Sequence, residues 1–198
     1  MPTEVRGGVE ARKALRKYAP DLAKAIQKEM GELLKPVTNK ARGFIPSTVL
    51  SGWSKPLSSD VKYKPFPKYD ATEARRKIGY KTTPSKANSK GFTSLARIEN
   101  KSAAGAIYEI AGRSTASASQ KNMSANPNAR QQFIDALNGT GRLVDANNQT
   151  GAAKRGRNLK GRALYRAWAE DGGKTNAAVL KALEVTKQIF DRSMKAVK

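Results

Sequence analysis

The sequence predicts an α+β fold: long N-terminal and C-terminal helices packed on a small antiparallel β-sheet. Three observations predict it. Apolar residues recur at spacings of three and four from Leu15 to Ala41, and again from Val179 to Val197, which is one stripe of a helix in each stretch. Two short stretches between them, 75–82 and 92–99, alternate apolar and polar residues at the period of a half-buried strand. The apolar fraction is 38% over 198 residues, which suits a single domain over 1–198 with a modest core and extensions.

The helical pattern begins at Val9. Leu15, Tyr18, Leu22, Ile26, Met30, Leu33, Val37 and Ala41 form its stripe. Pro20 interrupts it and opens a new helix at the first turn, with Asp21 beside the positive end of the helix dipole. Pro36 lacks an amide hydrogen and predicts a kink. The other face carries Lys17, Lys24, Lys28, Lys35 and Arg42, and reads as a solvated face. Residues 43–70 then change character. Four prolines oppose regular structure, yet Phe44, Val49, Leu50, Trp53, Leu57, Tyr63, Phe66 and Tyr69 are too many large side chains for a disordered linker. An extended arm fits, with Trp53 as anchor. It either lies back on its own domain or docks on a neighbour, and the enrichment of Trp and Tyr at interfaces favours docking. Trp53, Phe66 and Tyr69 are therefore candidate interface residues.

In the strand at 75–82, Ile78 and Tyr80 face one way and Lys77, Gly79 and Lys81 the other. A polar turn region at 84–91 leads to the return strand at 92–99, giving a β-hairpin. Asn100 and Lys101 turn the chain. Ser102 is placed to cap a short helix of small residues, and Gly112 is its natural stop. Residues 113–161 form a long polar basic loop interrupted by one amphipathic helix at 129–139, with Phe133, Ile134 and Leu137 inward and Gly139 as its end. Residues 163–168 are a short apolar strand or helical turn. Gly172 and Gly173 reset the backbone before the second long helix at 174–198.

The formal net charge is +22. Such a chain repels its own copies and attracts polyanions, whether DNA, RNA or an acidic protein surface. Candidate contacts are Arg75, Arg76 and Lys77 on the hairpin, and the glycine-spaced tract Lys154, Arg155, Arg157, Lys160 and Arg162, which suits phosphate contact without base reading. The chain has neither cysteine nor histidine. Disulfides, thiolate metal sites and cysteine nucleophiles are excluded, and the commonest general base is missing. There is no P-loop, no dinucleotide glycine fingerprint and no serine-nucleophile elbow. Asp70, Glu73 and Lys77 could be sketched as a metal-nuclease cluster, but carboxylates flanking a basic strand are more often ion pairs. The expectation is a non-enzyme without metal or cofactor. No apolar run is long enough to cross a bilayer, and the first ten residues have no secretory h-region.

The segment NKSAAGAIYEIAGR at 100–113 resembles the signature of the small head–tail joining proteins of long-tailed bacteriophages, the neck or tail-completion proteins. Asn100, Ala106, Tyr108, Glu109 and Gly112 match its pattern. The order of elements is similar as well: a long N-terminal helix, a β-hairpin, the signature, a polar loop and a C-terminal helix. The loop and the Pro-rich arm are longer than in that family. The resemblance implies a structural virion protein that acts once the head is filled, made in the host cytoplasm and built into the neck. It implies a homo-oligomeric ring, a hexamer by analogy, between head-closure and tail-terminator proteins and near the packaged DNA end. It adds Tyr108 and Glu109 to the candidate interface residues. The competing expectation, from charge alone, is a sequence-independent nucleic-acid-binding protein.

Overall fold

The computed structural model describes residues 8–48, 53, 68–111, 127–144 and 160–196. Among these the fold is α+β, with seven helices and one two-stranded sheet. The order is α1 (Gly8–Tyr18), α2 (Pro20–Gly43), α3 (Ala71–Arg76), β1 (Ile78–Lys81), β2 (Arg97–Asn100), α4 (Ala103–Ile110), α5 (Pro127–Thr140), α6 (Leu164–Asp171) and α7 (Lys174–Ala196). The strands run antiparallel, as the flanking bonds from the Lys101 amide to the Lys77 carbonyl and from the Ser85 amide to the Ser94 carbonyl require. The chain divides into two compact units. One comprises Met1–Pro36, Tyr80–Ile98 and Gly173–Lys198; the other Val37–Gly79 and Glu99–Gly172.

In the first unit the two predicted helical stripes meet. Leu15, Ala23, Ile26 and Met30 form a buried cluster, with Ala19, Leu22, Val179 and Leu183 packed against it. Pro20 does start a new helix, and α2 continues through Pro36 to Gly43. Arg12 reaches from α1 into the hairpin, where its Nη1 donates to the Thr82 carbonyl at 2.7 Å and the Leu95 carbonyl at 2.8 Å. Burial, reinforced by nearby Arg16, lowers the pKa of its guanidinium. The strands are shorter than expected. Asn88 Oδ1 accepts the Lys90 and Phe92 amides, and Ser85 Oγ accepts the Ser94 amide. These side chains take donors that a longer ladder would need, so Phe92 lies exposed in the loop and β2 begins only at Arg97.

The second unit is built on the C-terminal end of α2. Val37, Ala41, Ile45, Ile78, Ala104, Tyr108, Leu137 and Val144 are buried in it. Residues 71–76, partly assigned above to a strand, form α3 instead, because Asp70 Oδ1 accepts the Glu73 amide at 3.0 Å and caps the helix. Ser102 caps α4 as the sequence predicts, accepting the Gly105 amide at 3.1 Å. Residues 163–168 resolve into helix, since α6 starts at Leu164. It ends on Gly172, whose φ of 62° is the left-handed conformation that ends many helices. Val144 and Gly161 pair as a single antiparallel bridge.

Candidate polyanion interface

The positive charge of the second unit falls into two groups: cations held by the fold and cations that present themselves outward. The second group centres on α3. Thr72, Arg75 and Arg76 stand at i, i+3 and i+4, so one face of this short helix carries all three. Arg42, in the last turn of α2, completes the wall of an open cleft of about 380 Å³ lined by these four residues. Two of the guanidinium groups are anchored from behind. Arg42 Nε and Nη2 donate to the Ile78 carbonyl at 3.0 and 2.8 Å. Arg75 Nε and Nη2 donate to the Ile45 carbonyl at 3.0 and 2.7 Å. In each case one edge of the planar fork is fixed, which orients the other edge. Arg76 is exposed. Asp70, the nearest carboxylate preceding α3, is turned to the Glu73 amide.

Arg75 and Arg76 were legible in the sequence as contact candidates. Arg42 was read as part of a solvated face and Thr72 was passed over. The only sequence signal for Arg42 is its place in the final helical turn, beside the buried Ala41. Lys77 is exposed at the end of α3, with its backbone joined to Glu73 and Lys101. Lys160 is half-buried, and its amide donates to the Val144 carbonyl. Lys154, Arg155 and Arg157, together with Phe66 of the arm, lie outside the described residues.

Arg162 requires a correction. It is 1% exposed and cannot reach a polyanion. Its Nε donates to the Gly141 carbonyl at 3.2 Å, Nη1 to the Tyr108 carbonyl at 3.0 Å and to the Ala111 carbonyl, and Nη2 to Asn138 Oδ1 at 2.7 Å. Burial lowers its pKa, against the opposing influence of Tyr108 and Glu109. It is a structural fastener between α4, the end of α5 and the segment before α6.

Four of the five expected interface residues, Trp53, Tyr69, Tyr108 and Glu109, are buried within the chain. Glu109 is 7% exposed and caps α6 from 54 residues away. Its Oε2 accepts the Ala163 amide at 2.7 Å and the Leu164 amide at 3.0 Å; its Oε1 accepts the Tyr165 amide at 2.9 Å. Ala163, at the cap position itself, has no side-chain group that could do this. Tyr108 is fully buried, and burial raises its phenol pKa. Trp53 is also buried and packs at home: its ring lies 4.8 Å from Tyr69 and 5.3 Å from Phe133. The Tyr69 amide donates to the Trp53 carbonyl, and the Tyr69 hydroxyl donates to the Pro46 carbonyl at 2.6 Å. Of the arm's two alternatives, these contacts are the fold-back one.

Three further cations gather around one carboxylate. Glu170 receives Lys40 Nζ at 2.9 Å, Arg166 Nε at 2.9 Å and Arg142 Nη2 at 3.3 Å. Burial pushes its pKa up, but hydrogen bonds from these three cations outweigh it and bring the pKa down to about 2. Arg166 also lies over the Phe44 ring at 3.9 Å. The cleft arginines are a different set from the cations around Glu170, although Arg42 and Arg75 also bind backbone carbonyls of the fold. Neither family models, curated proteins nor solved structures yield a match to this chain.

Proposed function

We propose that this chain is a structural, non-enzymatic protein of the phage neck, forming a ring that joins the DNA-filled head to the tail. A hexamer fits the analogy, with head-closure and tail-terminator proteins as neighbours, in a virion assembled in the host cytoplasm. In this reading the terminal helices cover the sheet, and the basic surface meets the packaged DNA end or an acidic neighbour. The observation that carries the reading is segment 100–113. Three of the residues that resemble the joining-protein signature support the second unit: Asn100 Oδ1 accepts the Ser102 amide, Tyr108 is buried, and Glu109 caps α6. Quantitative mass spectrometry of purified particles from a phage encoding the chain tests it. Six or twelve copies per particle is the expected result, and absence from otherwise complete particles rejects the reading.

The arginine-lined cleft favours a second reading, a sequence-independent nucleic-acid-binding protein. It predicts tight binding of duplex DNA by the isolated chain, with affinity falling steeply as salt rises. The ring reading predicts weak binding alone.

A further inference from the structure

We propose that the cleft lined by Arg42, Thr72, Arg75 and Arg76 is a phosphate-binding site whose phosphate comes from a nucleic-acid backbone. Among the described residues its lining consists of three arginines and a threonine, with no acidic residue. A planar carboxylate is satisfied by one arginine fork. Several forks and a hydroxyl arriving from two helices suit a tetrahedral oxyanion, which offers oxygens in more than two directions.

Preorganisation is the second argument. An arginine on an open surface loses rotamer freedom when it binds. Arg42 and Arg75 have already lost it, because each is clamped to a backbone carbonyl through Nε and Nη2. Among the described residues the Nη1 atom of Arg75 has no partner, and that of Arg42 has a 3.4 Å contact with Asn39 Oδ1 to give up. Arg76, exposed and without an ion pair among the described residues, supplies the movable third donor. No base-reading element is involved, so the site is indifferent to sequence.

The test is a titration of the full chain with inorganic phosphate at constant ionic strength, followed by NMR of the arginine Nε–H groups and the Thr72 amide. Saturable shifts at Arg42, Arg75, Arg76 and Thr72 are expected. Arg76→Gln should weaken them several-fold while leaving the anchored arginines and the circular dichroism spectrum unchanged, and Thr72→Val should weaken them independently. A short DNA duplex is the second probe. If the backbone is the source, Arg76→Gln lowers duplex affinity and reduces the salt slope by about one. Phosphate binding that depends on Arg76, with duplex affinity unchanged, keeps the site but overturns the nucleic-acid source. No saturable shift with phosphate, or displacement by an acidic peptide alone, overturns the site. The nucleic-acid source rests on the second reading above, whereas the phosphate titration tests the site alone and is unaffected by absence of the chain from virions.

Discussion

Glu109 shows how far a residue's role can lie from its sequence neighbourhood. Its carboxylate satisfies three amides at the start of α6 and sits close to the buried Arg162. Glu109→Gln keeps one acceptor oxygen and should cost about 1–2 kcal/mol; Glu109→Ala strands the amides and should cost about 3 kcal/mol or more. Urea unfolding, followed by the α-helical signal, reads the difference. Glu170 makes a pH prediction. Its folded pKa of about 2 lies below the ordinary 4.5. The stabilisation is therefore present in full above pH 4.5 and is lost as pH falls from there towards 2. Wild type should exceed Glu170→Gln in stability near neutral pH, and the gap in melting temperature should close across that acid window. At the alkaline end the direction reverses for Tyr69 and Tyr108. Burial raises both phenol pKa values, so stability should begin to fall as pH rises above the ordinary 10.

Glycines separate two kinds of position at the scale of elements. Gly139 was read as the end of a helix, but α5 continues to Thr140, and a Cβ at Gly139 would meet nothing within 4 Å. Gly139→Ala should therefore stabilise by about 0.5–1 kcal/mol, because it removes unfolded-state freedom without a clash. At Gly161 a Cβ would fall 1.9 Å from Glu109 Oε1. Gly161→Ala should displace the carboxylate from α6 and lower the melting temperature. Thermal denaturation of the two variants should thus shift in opposite directions. The arm gives a third test. Trp53 is 6% exposed against Tyr69 and Phe133. Trp53→Ala should cost the second unit about 3–5 kcal/mol, read by chemical denaturation, rather than only weakening assembly.

Charge governs the behaviour of the whole molecule. A net +22 on 198 residues makes self-repulsion oppose compaction, and the Glu170 cluster offsets it locally. Raising ionic strength from low salt to about 0.15 M, where the Debye length is about 8 Å, should raise the melting temperature by screening that repulsion. The same change should weaken duplex binding if the cleft holds a backbone phosphate.

The sequence by itself determined the α+β class, the break at Pro20, the Ser102 cap, the helix around Phe133 and the reset at Gly172 and Gly173. These depend on periodicity, proline and glycine chemistry and short-range hydrogen bonds, all of which act within a few residues. Only the tertiary structure decided which charges face outward. Arg162 and Arg75 are both arginines in basic surroundings, yet Arg162 is enclosed by four acceptors from distant segments and Arg75 lines an open cleft. It also decided that α3 and the hairpin side chains shorten the strands, that Trp53 folds back, and that Glu109 caps a helix 54 residues away. Each of these depends on which groups meet across the fold, where burial forces every polar atom to find a partner and local spacing carries no record of the choice.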